Sequence, residues 1–331
     1  MIVFIVRRLL ISIPVLIASS VLVFLMVSAA GDPLAPLRAN PNISQESIDA
    51  RRHDLHLDKP LPQRFAIWAG NVVKGNLGND LSGRPVRPQL LSRLGTTVRL
   101  VVISQILALI LAVVAGVFAA VRQYTIGDYI VTFTGFLFIS TPLFWFAGVL
   151  KEWVAIRLNN GLDSLFHTDR RYVFTIGDKT ADFTGSTWGR ISDYAGHLVL
   201  PTIALAAVTY AAWSRFQRAS MLEVLNSDYM RLARAKGLPW RRVLVRHGLR
   251  TALIPLTTVV AINVGLIIGG VVITESVFDW HGMGELLVQA ANTRDVNVML
   301  GWLMLSAVAV ILANLVADIL YAYLDPRIRR T

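Results

Sequence analysis

Residues 227–246 read SDYMRLARAKGLPWRRVLVR, a short basic stretch whose apolar residues recur at helical spacing. Ser227 or Asp228 can cap a first helix, and Gly237 can supply the left-handed residue that ends it. Pro239 then occupies a natural first position for a second helix. The stretch therefore predicts a helix, a glycine turn and a second helix.

Long apolar runs lie on both sides of this stretch. A helix that crosses the hydrocarbon layer of a membrane needs about 20 mostly apolar residues. Six runs meet or approach that length: Leu9–Ala30, Leu100–Val121, Ile130–Leu150, Leu198–Trp213, Leu253–Ile273 and Val298–Ala317. The 331 residues are 54% hydrophobic and only 16% charged, which excludes an ordinary soluble domain. The sequence predicts an all-α integral membrane protein with six transmembrane helices.

The first and fourth runs each need an interpretation. Arg7 and Arg8 before an apolar run are also typical of a secretory signal, but 22 apolar residues exceed the about 7–15 of a signal core. We therefore expect a retained anchor helix. The fourth run is only 16 residues long and contains Pro201, so we expect it to borrow polar flanking residues or to pack inside a bundle.

Charge predicts the orientation of the chain. The segments 1–8, 122–129, 214–252 and 318–331 hold 15 basic and 5 acidic residues, a net charge of +10, whereas the rest of the chain holds 17 and 16, a net charge of +1. Basic residues accumulate on the cytoplasmic side of membrane proteins. Both termini are therefore expected in the cytoplasm. The total of +11 then reflects topology and contact with anionic membrane lipid, and predicts no nucleic-acid partner.

Little in the sequence indicates catalysis. The absence of cysteine excludes disulfides, thiolate metal sites and a cysteine nucleophile. His53 and His56 have no further clustered ligands, so we expect no metal site and no catalytic residue. Proton- or sodium-coupled carriers usually place carboxylates in mid-membrane, and the six runs hold only uncharged polar side chains there. The energy source is therefore expected outside this chain. A polytopic membrane enzyme would need an acid–base pair, for which Glu152 and Glu275 are the candidates.

Several motifs together resemble one family. They are residues 228–255, 55–61, 75–78, 82–86, 200–202, 275–284 and 324–327. Their order and spacing resemble permeases of ABC importers, and specifically the first ("B") permease subunits of dipeptide and oligopeptide systems. Arg231 stands where the general permease motif has a glutamate, and the segment 159–197 is longer than is usual for such permeases.

The resemblance implies a type I importer fold. Residues 1–30 would form the N-terminal segment and first transmembrane helix, residues 31–99 an extracytoplasmic segment, and residues 100–331 a five-helix core with the cytoplasmic coupling loop 214–252. The chain would be the permease subunit of a peptide importer in the bacterial inner membrane. Its expected partners are a second homologous permease, two ATP-binding subunits and an extracytoplasmic substrate-binding protein. Haem, nickel chelates and glutathione are alternative substrates.

The same comparison suggests roles for individual residues. ATPase coupling would fall to Tyr229, Arg231, Ala233, Arg234, Ala235, Lys236, Gly237, Leu238 and Pro239. An outer gate or contact with the binding protein would involve Glu275, Phe278, Trp280 and Gly282. The small-residue pattern at Gly265, Gly269 and Gly270 predicts close packing against the second permease. No cofactor is expected in this chain, since Mg-ATP would bind the partner subunits.

The predicted topology can be tested by cysteine labelling, because the natural chain contains no cysteine. A membrane-impermeant thiol reagent added to intact cells should label Ser82→Cys and Ser186→Cys but not Ser227→Cys. Labelling of Ser227→Cys from outside would contradict the orientation.

Overall fold

A computed structural model describes residues 2–29, 31–39, 41–166, 173–181 and 183–324. Within these ranges the chain is helical, with only an isolated antiparallel bridge between Asn79 and Pro85. Two π-helical segments, Leu150–Val154 and Val243–Leu249, lie between α-helices. The α-helices are α1 (Ile2–Ala29), α2 (Ala35–Arg38), α3 (Gln45–Asp54), α4 (Leu61–Val73), α5 (Val86–Val121), α6 (Ile126–Ser140), α7 (Leu143–Val149), α8 (Ala155–Phe166), α9 (Thr187–Leu225), α10 (Asp228–Ala235), α11 (Trp240–Arg242), α12 (Arg250–Phe278), α13 (Met283–Thr293) and α14 (Val296–Leu324).

The helices include enough long apolar segments for a multi-pass membrane protein. Five segments of the described chain have the length and composition of a membrane span, and a bent pair of helices makes a sixth if it is counted as one span. This agrees with the predicted all-α membrane fold. The five segments are Leu9–Ala29, Val86–Val121, Thr187–Leu225, Trp240–Val260 and Val296–Val316.

The third predicted span, Ile130–Leu150, is not one straight helix. Helix α6 ends at Ser140, and the following segment, Leu143–Leu165, runs at 107° to it. Pro142 explains the break, because it has no N–H to donate and disfavours helical backbone at the preceding residue. Thr141 accordingly adopts an extended conformation, with ψ at 123°.

The fourth predicted span does borrow its polar flanks. Helix α9 runs for 39 residues and contains Pro201 without ending there. Ser186 caps its start, where the hydroxyl accepts a hydrogen bond from the Gly189 N–H at 3.2 Å. The 16 apolar residues are therefore only the middle of a much longer helix.

The described chain divides into two compact units. The first comprises Met1–Thr96 and Gly282–Leu312, and the second comprises Thr97–His281 and Ala313–Thr331. These units group residues by their contacts, whereas the predicted division at residues 30 and 99 follows membrane topology. That division stays a prediction.

The first unit contains the short helices that follow α1. Ser44 caps α3, since its hydroxyl accepts a hydrogen bond from the Ser47 N–H at 3.3 Å. A buried carboxylate, Asp80, organises the next turn by accepting hydrogen bonds from the backbone N–H groups of Ser82 and Arg84. Burial alone would raise the pKa of Asp80, but hydrogen bonds from Gln89 and Arg84 hold it below its usual value.

The second unit is centred on α9. Small side chains let α5 approach α9 closely: Ala108 and Ala112 share a buried cluster with Ala206 and Trp213. A Cβ added to Gly116 would lie 2.8 Å from the Ser214 carbonyl oxygen. Close approach of this kind is how helices pack where water supplies no hydrophobic drive between them.

Candidate functional site

The segment that joins α9 to α12 begins with a sharp helix end. Asn226 terminates α9, and Ser227 takes the N-cap position of α10. The Ser227 hydroxyl does not cap the new helix as the sequence suggested; it donates a hydrogen bond back to the Val224 carbonyl. Asp228 instead forms an exposed ion pair with Arg231, three residues further on. The chain therefore turns into α10 with very little intervening loop.

Helix α10 has one buried and one exposed face. Met230 and Ala233 are buried in a cluster with Met221 and Val224 of α9 and with Val243. Opposite them, Tyr229 and Leu232 are 44% and 57% exposed. The buried side chains fix α10 to the second unit, so the exposed face is presented from a rigid base.

Gly237 forms the predicted left-handed turn. Its φ is +74°, and its N–H donates a hydrogen bond to the Arg234 carbonyl at 2.9 Å. A Cβ built on this residue would meet nothing within 4 Å. The position therefore requires glycine for its backbone conformation and not for lack of space.

The second helix of the predicted pair is not a separate short helix. Trp240–Arg242 continues through the π-helical segment Val243–Leu249 directly into α12. The backbone stays in the right-handed helical region at both Arg242 and Leu249. The predicted loop 214–252 is thus far shorter in the structure, because α9 enters it to Leu225 and the helix that becomes α12 starts at Trp240.

A cation–π contact joins the two sides of the glycine turn. The Arg234 guanidinium lies 4.4 Å from the centroid of the Trp240 ring. Such contacts contribute about 0.5–1 kcal/mol at exposed sites. Together with the buried base of α10, this contact holds the turn in one shape.

These features define a basic, partly apolar surface, which we term the 229–242 face. Most of the predicted coupling residues lie on it, but Ala233 does not, because its small side chain packs against its own chain. Leu238 also packs against that cluster. Sequence reasoning missed Leu232, although Tyr229 and Leu232 are three apart on one helix face. The exposed members are Tyr229, Arg231, Leu232, Arg234, Ala235, Lys236, Gly237, Pro239, Trp240, Arg241 and Arg242.

A buried ion pair stabilises the helices beside this face. Asp128, at the start of α6, is 2% exposed and receives two hydrogen bonds from Arg218 of α9, both at 2.7 Å. The Tyr124 N–H donates a third at 3.0 Å. Bidentate Arg–carboxylate pairs are geometrically specific and strong. The sequence separates the two residues by 90 positions, and no local pattern pairs them.

The residues predicted for the outer gate lie inside the units. Glu275 is fully buried and accepts a hydrogen bond from Thr97 at 2.5 Å. Phe278 and Trp280 are buried in apolar clusters of the second unit. Gly282 is a buried N-cap residue in the first unit. Their role as gate or binding-protein contact stays a prediction.

The residues predicted to pack against a second permease fall in helix α12. The packing of Gly265, Gly269 and Gly270 lies outside the described residues. Their role as a permease–permease contact also stays a prediction.

Comparison with known proteins identifies relatives over nearly the whole chain. Residues 112–330 match the family "Binding-protein-dependent transport system inner membrane component", and residues 1–101 match the N-terminal family of such membrane components. The oligopeptide transport system permease protein OppB of Mycobacterium tuberculosis is 39% identical over 98% of both chains. AppB of Bacillus subtilis, also an oligopeptide permease protein, is 38% identical, and the dipeptide permease protein DppB of Alkalihalophilus pseudofirmus is 34% identical, each over 98% of both chains.

The Asp128–Arg218 pair should couple strongly in stability. Arg218→Met leaves a buried carboxylate without its counter-ion and should lower the free energy of unfolding by about 3–5 kcal/mol. The double variant Asp128→Asn/Arg218→Met should lose less than the sum of the two single variants, as thermal unfolding of the purified protein would measure. Arg215→Met on the same helix is the control, since Arg215 is exposed over the Phe136 ring and should matter by about 1 kcal/mol or less. Strict additivity would contradict the assignment.

Proposed function

The chain belongs to the family of binding-protein-dependent transport system inner membrane components, and we propose that it is the permease subunit of an ATP-driven importer of peptides. It is a multi-pass protein of the bacterial inner membrane. In this proposal it forms half of the translocation pathway, and an ATP-binding subunit docks on the 229–242 face. The observation that carries the docking role is the rigid presentation of exposed Tyr229, Leu232 and Trp240 among basic residues.

The composition of the 229–242 face favours a protein partner over lipid adhesion. Anchored aromatic and arginine side chains are the groups that contribute most at protein interfaces. A segment that only adheres to anionic lipid needs basic residues close to the membrane surface. It has no use for a left-handed glycine at 237 or for a helix fixed by Met230 in a buried cluster.

The partners follow from the number of docking segments. One chain offers one 229–242 face, whereas closure of an ATP-binding dimer needs two. A second homologous permease therefore supplies the other, with Gly265, Gly269 and Gly270 at the shared interface. The sequence has no GxxxxGK[ST] loop, so Mg-ATP binds in the partner subunits and this chain is not itself an enzyme. An extracytoplasmic binding protein delivers the substrate.

Coupling in this proposal runs through helix continuity. Closure of the ATP-binding subunits moves the segment around Gly237. Because Trp240–Arg242 continues through the π-helical segment into α12, the motion reaches a membrane-spanning helix without a flexible joint. Domain closure of this kind is how nucleotide-driven machines gate access.

Peptides are proposed as the substrate because the relatives are named as oligopeptide and dipeptide permeases. The test is uptake by the complete complex in proteoliposomes, with a labelled peptide as substrate. Excess unlabelled peptide should suppress uptake, whereas haem, nickel chelates and glutathione should not. Peptide-insensitive transport of one of these three would assign the complex to that substrate and overturn the proposal.

Gly237→Val should uncouple ATP hydrolysis from peptide uptake. The substitution strains the left-handed residue by about 1–2 kcal/mol, and the space around it is open, so the protein should still insert and fold. Peptide uptake should fall by about tenfold or more, a typical scale for coupling between sites. The measurements are ATPase activity and peptide uptake of the reconstituted complex.

Gly83→Val is the matched control for this experiment. Gly83 has a φ of +81° and equally open space, but it lies in the predicted extracytoplasmic segment. It should carry the same local strain and leave transport unchanged. Arg234→Glu should weaken ATPase docking more than Arg246→Glu, whereas simple lipid adhesion predicts equal effects. Full transport by Gly237→Val would remove 229–242 as the coupling element.

A further inference from the structure

A small cavity lies beside α4 in the first unit. Its volume is about 90 Å³, and its walls include Phe24 near the end of α1 and Val296 and Leu300 at the start of α14. Both helices contain candidate membrane spans, Leu9–Ala29 and Val296–Val316. The cavity therefore lies where two spans meet the aqueous boundary.

Helix α4 contributes two buried N–H donors to the lining of this cavity. Arg64 and Trp68 of α4 both line it, one helical turn apart. Across the part of the chain that the structure describes, neither Arg64 Nε nor Trp68 Nε1 has a hydrogen-bond partner. Buried N–H groups in folded proteins are nearly always paired, so these two indicate an acceptor that the described residues do not supply.

Among the remaining polar groups of the wall, Asn76 adds a further donor. Asn76 Oδ1 accepts a hydrogen bond from the Gly78 N–H at 2.9 Å, so its amide nitrogen is the atom left to donate. Asn297 Nδ2 donates to the Asn79 carbonyl at 2.8 Å. The acidic residue in the wall, Asp54, has a side chain that is 68% exposed and lies 3.9 Å from Arg51. His56 and Asn71 complete the polar lining.

Among the residues that the structure describes, no carboxylate forms an ion pair with Arg64 to offset its partial burial. Its guanidinium lies 5.9 Å from the Phe24 ring centroid, a contact that attracts the cation only weakly. Burial lowers the pKa of Arg64 from its ordinary value, because desolvation disfavours the charged guanidinium.

We propose that this cavity binds a phosphate group through Arg64 and Trp68, and that its position at the ends of two spans favours the headgroup phosphate of a membrane phospholipid. Guanidinium groups match the oxygens of phosphate bidentately. Phe24, Phe65 and Trp68 lie within 6 Å of one another, and aromatic side chains of this kind concentrate at the membrane boundary.

The size of the cavity separates this site from the transport substrate. Pockets that enclose drug-sized ligands are about 300–1,000 Å³, so a cavity of about 90 Å³ admits a small oxyanion and not a whole peptide. The inference does not depend on the proposed substrate. It assigns to α4 a function in anchoring the first unit to lipid.

The test uses the full chain purified in a phosphate-free detergent, with thermal unfolding followed as ligand is added. The probes are phosphatidylglycerol, diacylglycerol as a phosphate-free lipid, and inorganic phosphate. Phosphatidylglycerol should raise the melting temperature in a saturable way, and diacylglycerol should not. Saturable binding of inorganic phosphate with an affinity equal to that of phosphatidylglycerol would retain the phosphate site and assign it to the free ion.

Three variants decide whether the effect belongs to this cavity. Trp68→Phe keeps an aromatic ring but removes the indole N–H with the pyrrole half of the side chain, and should weaken binding by about three- to tenfold. Arg64→Gln should weaken it by about 10- to 100-fold. Arg52→Gln removes a charge from the exposed surface of the neighbouring α3 and should bind like the wild type. Equal affinity in all four proteins, or saturable stabilisation by diacylglycerol, would overturn the proposal.

Discussion

Inside hydrocarbon a peptide group has no water to bond with, so each backbone N–H and C=O must find its partner within the protein. Long helices meet this requirement, and it explains why the described chain consists of them. The constraint also determines where helices are allowed to break. Pro142 interrupts the third apolar run, while Pro201 is absorbed into a 39-residue helix whose side chains are closely packed. The candidate site lies at a further break, between the end of α9 and the start of the helix that becomes α12.

Buried charged groups must likewise find their partners within the protein. Asp128 is buried at the start of α6 and is fully matched by Arg218, and Glu275 is buried close to the end of α12 with Thr97 as its partner. A carboxylate left alone in such surroundings would carry a desolvation penalty of several kcal/mol. Paired near helix ends, these carboxylates become specific cross-links between helices that are otherwise joined by small apolar side chains. The few polar contacts thus make the pairing of the helices geometrically specific. The many small apolar side chains let the helices approach closely.

Much of the fold was predictable from local patterns, and less of the candidate site. The apolar runs predicted the spans because hydropathy over about 20 residues is a local property. Gly237 was predictable for the same reason, since the residues that end a helix stand next to it. The burial of Ala233 was not, because an alanine suits a protein groove and its own core equally well. Nor was the Asp128–Arg218 pair, which depends on how α6 and α9 are rotated about their axes.

The continuation of the second helix was also hidden from sequence. Arg241, Arg242 and Arg246 read as a surface segment, and nothing local shows that the same helix proceeds into an apolar span. Only tertiary packing of Val243 against the cluster beneath α10 reveals it. The pattern of charge therefore predicted a basic surface segment but not the length of the helix that carries it.

The π-helical segment Val243–Leu249 determines how Trp240–Arg242 are rotated about the helix axis relative to α12. A π turn accommodates a residue more than an α turn, and such insertions are frequent at functional positions. Each residue advances an α-helix by about 100° around its axis. Loss of one residue from this segment would let the backbone hydrogen bonds close as an ordinary α-helix. Either Gly248 would still face Met221 and Met230, or Trp240–Arg242 would keep their present direction, but not both. The wider π turn therefore lets Gly248 and Trp240–Arg242 each keep its own orientation on one continuous helix.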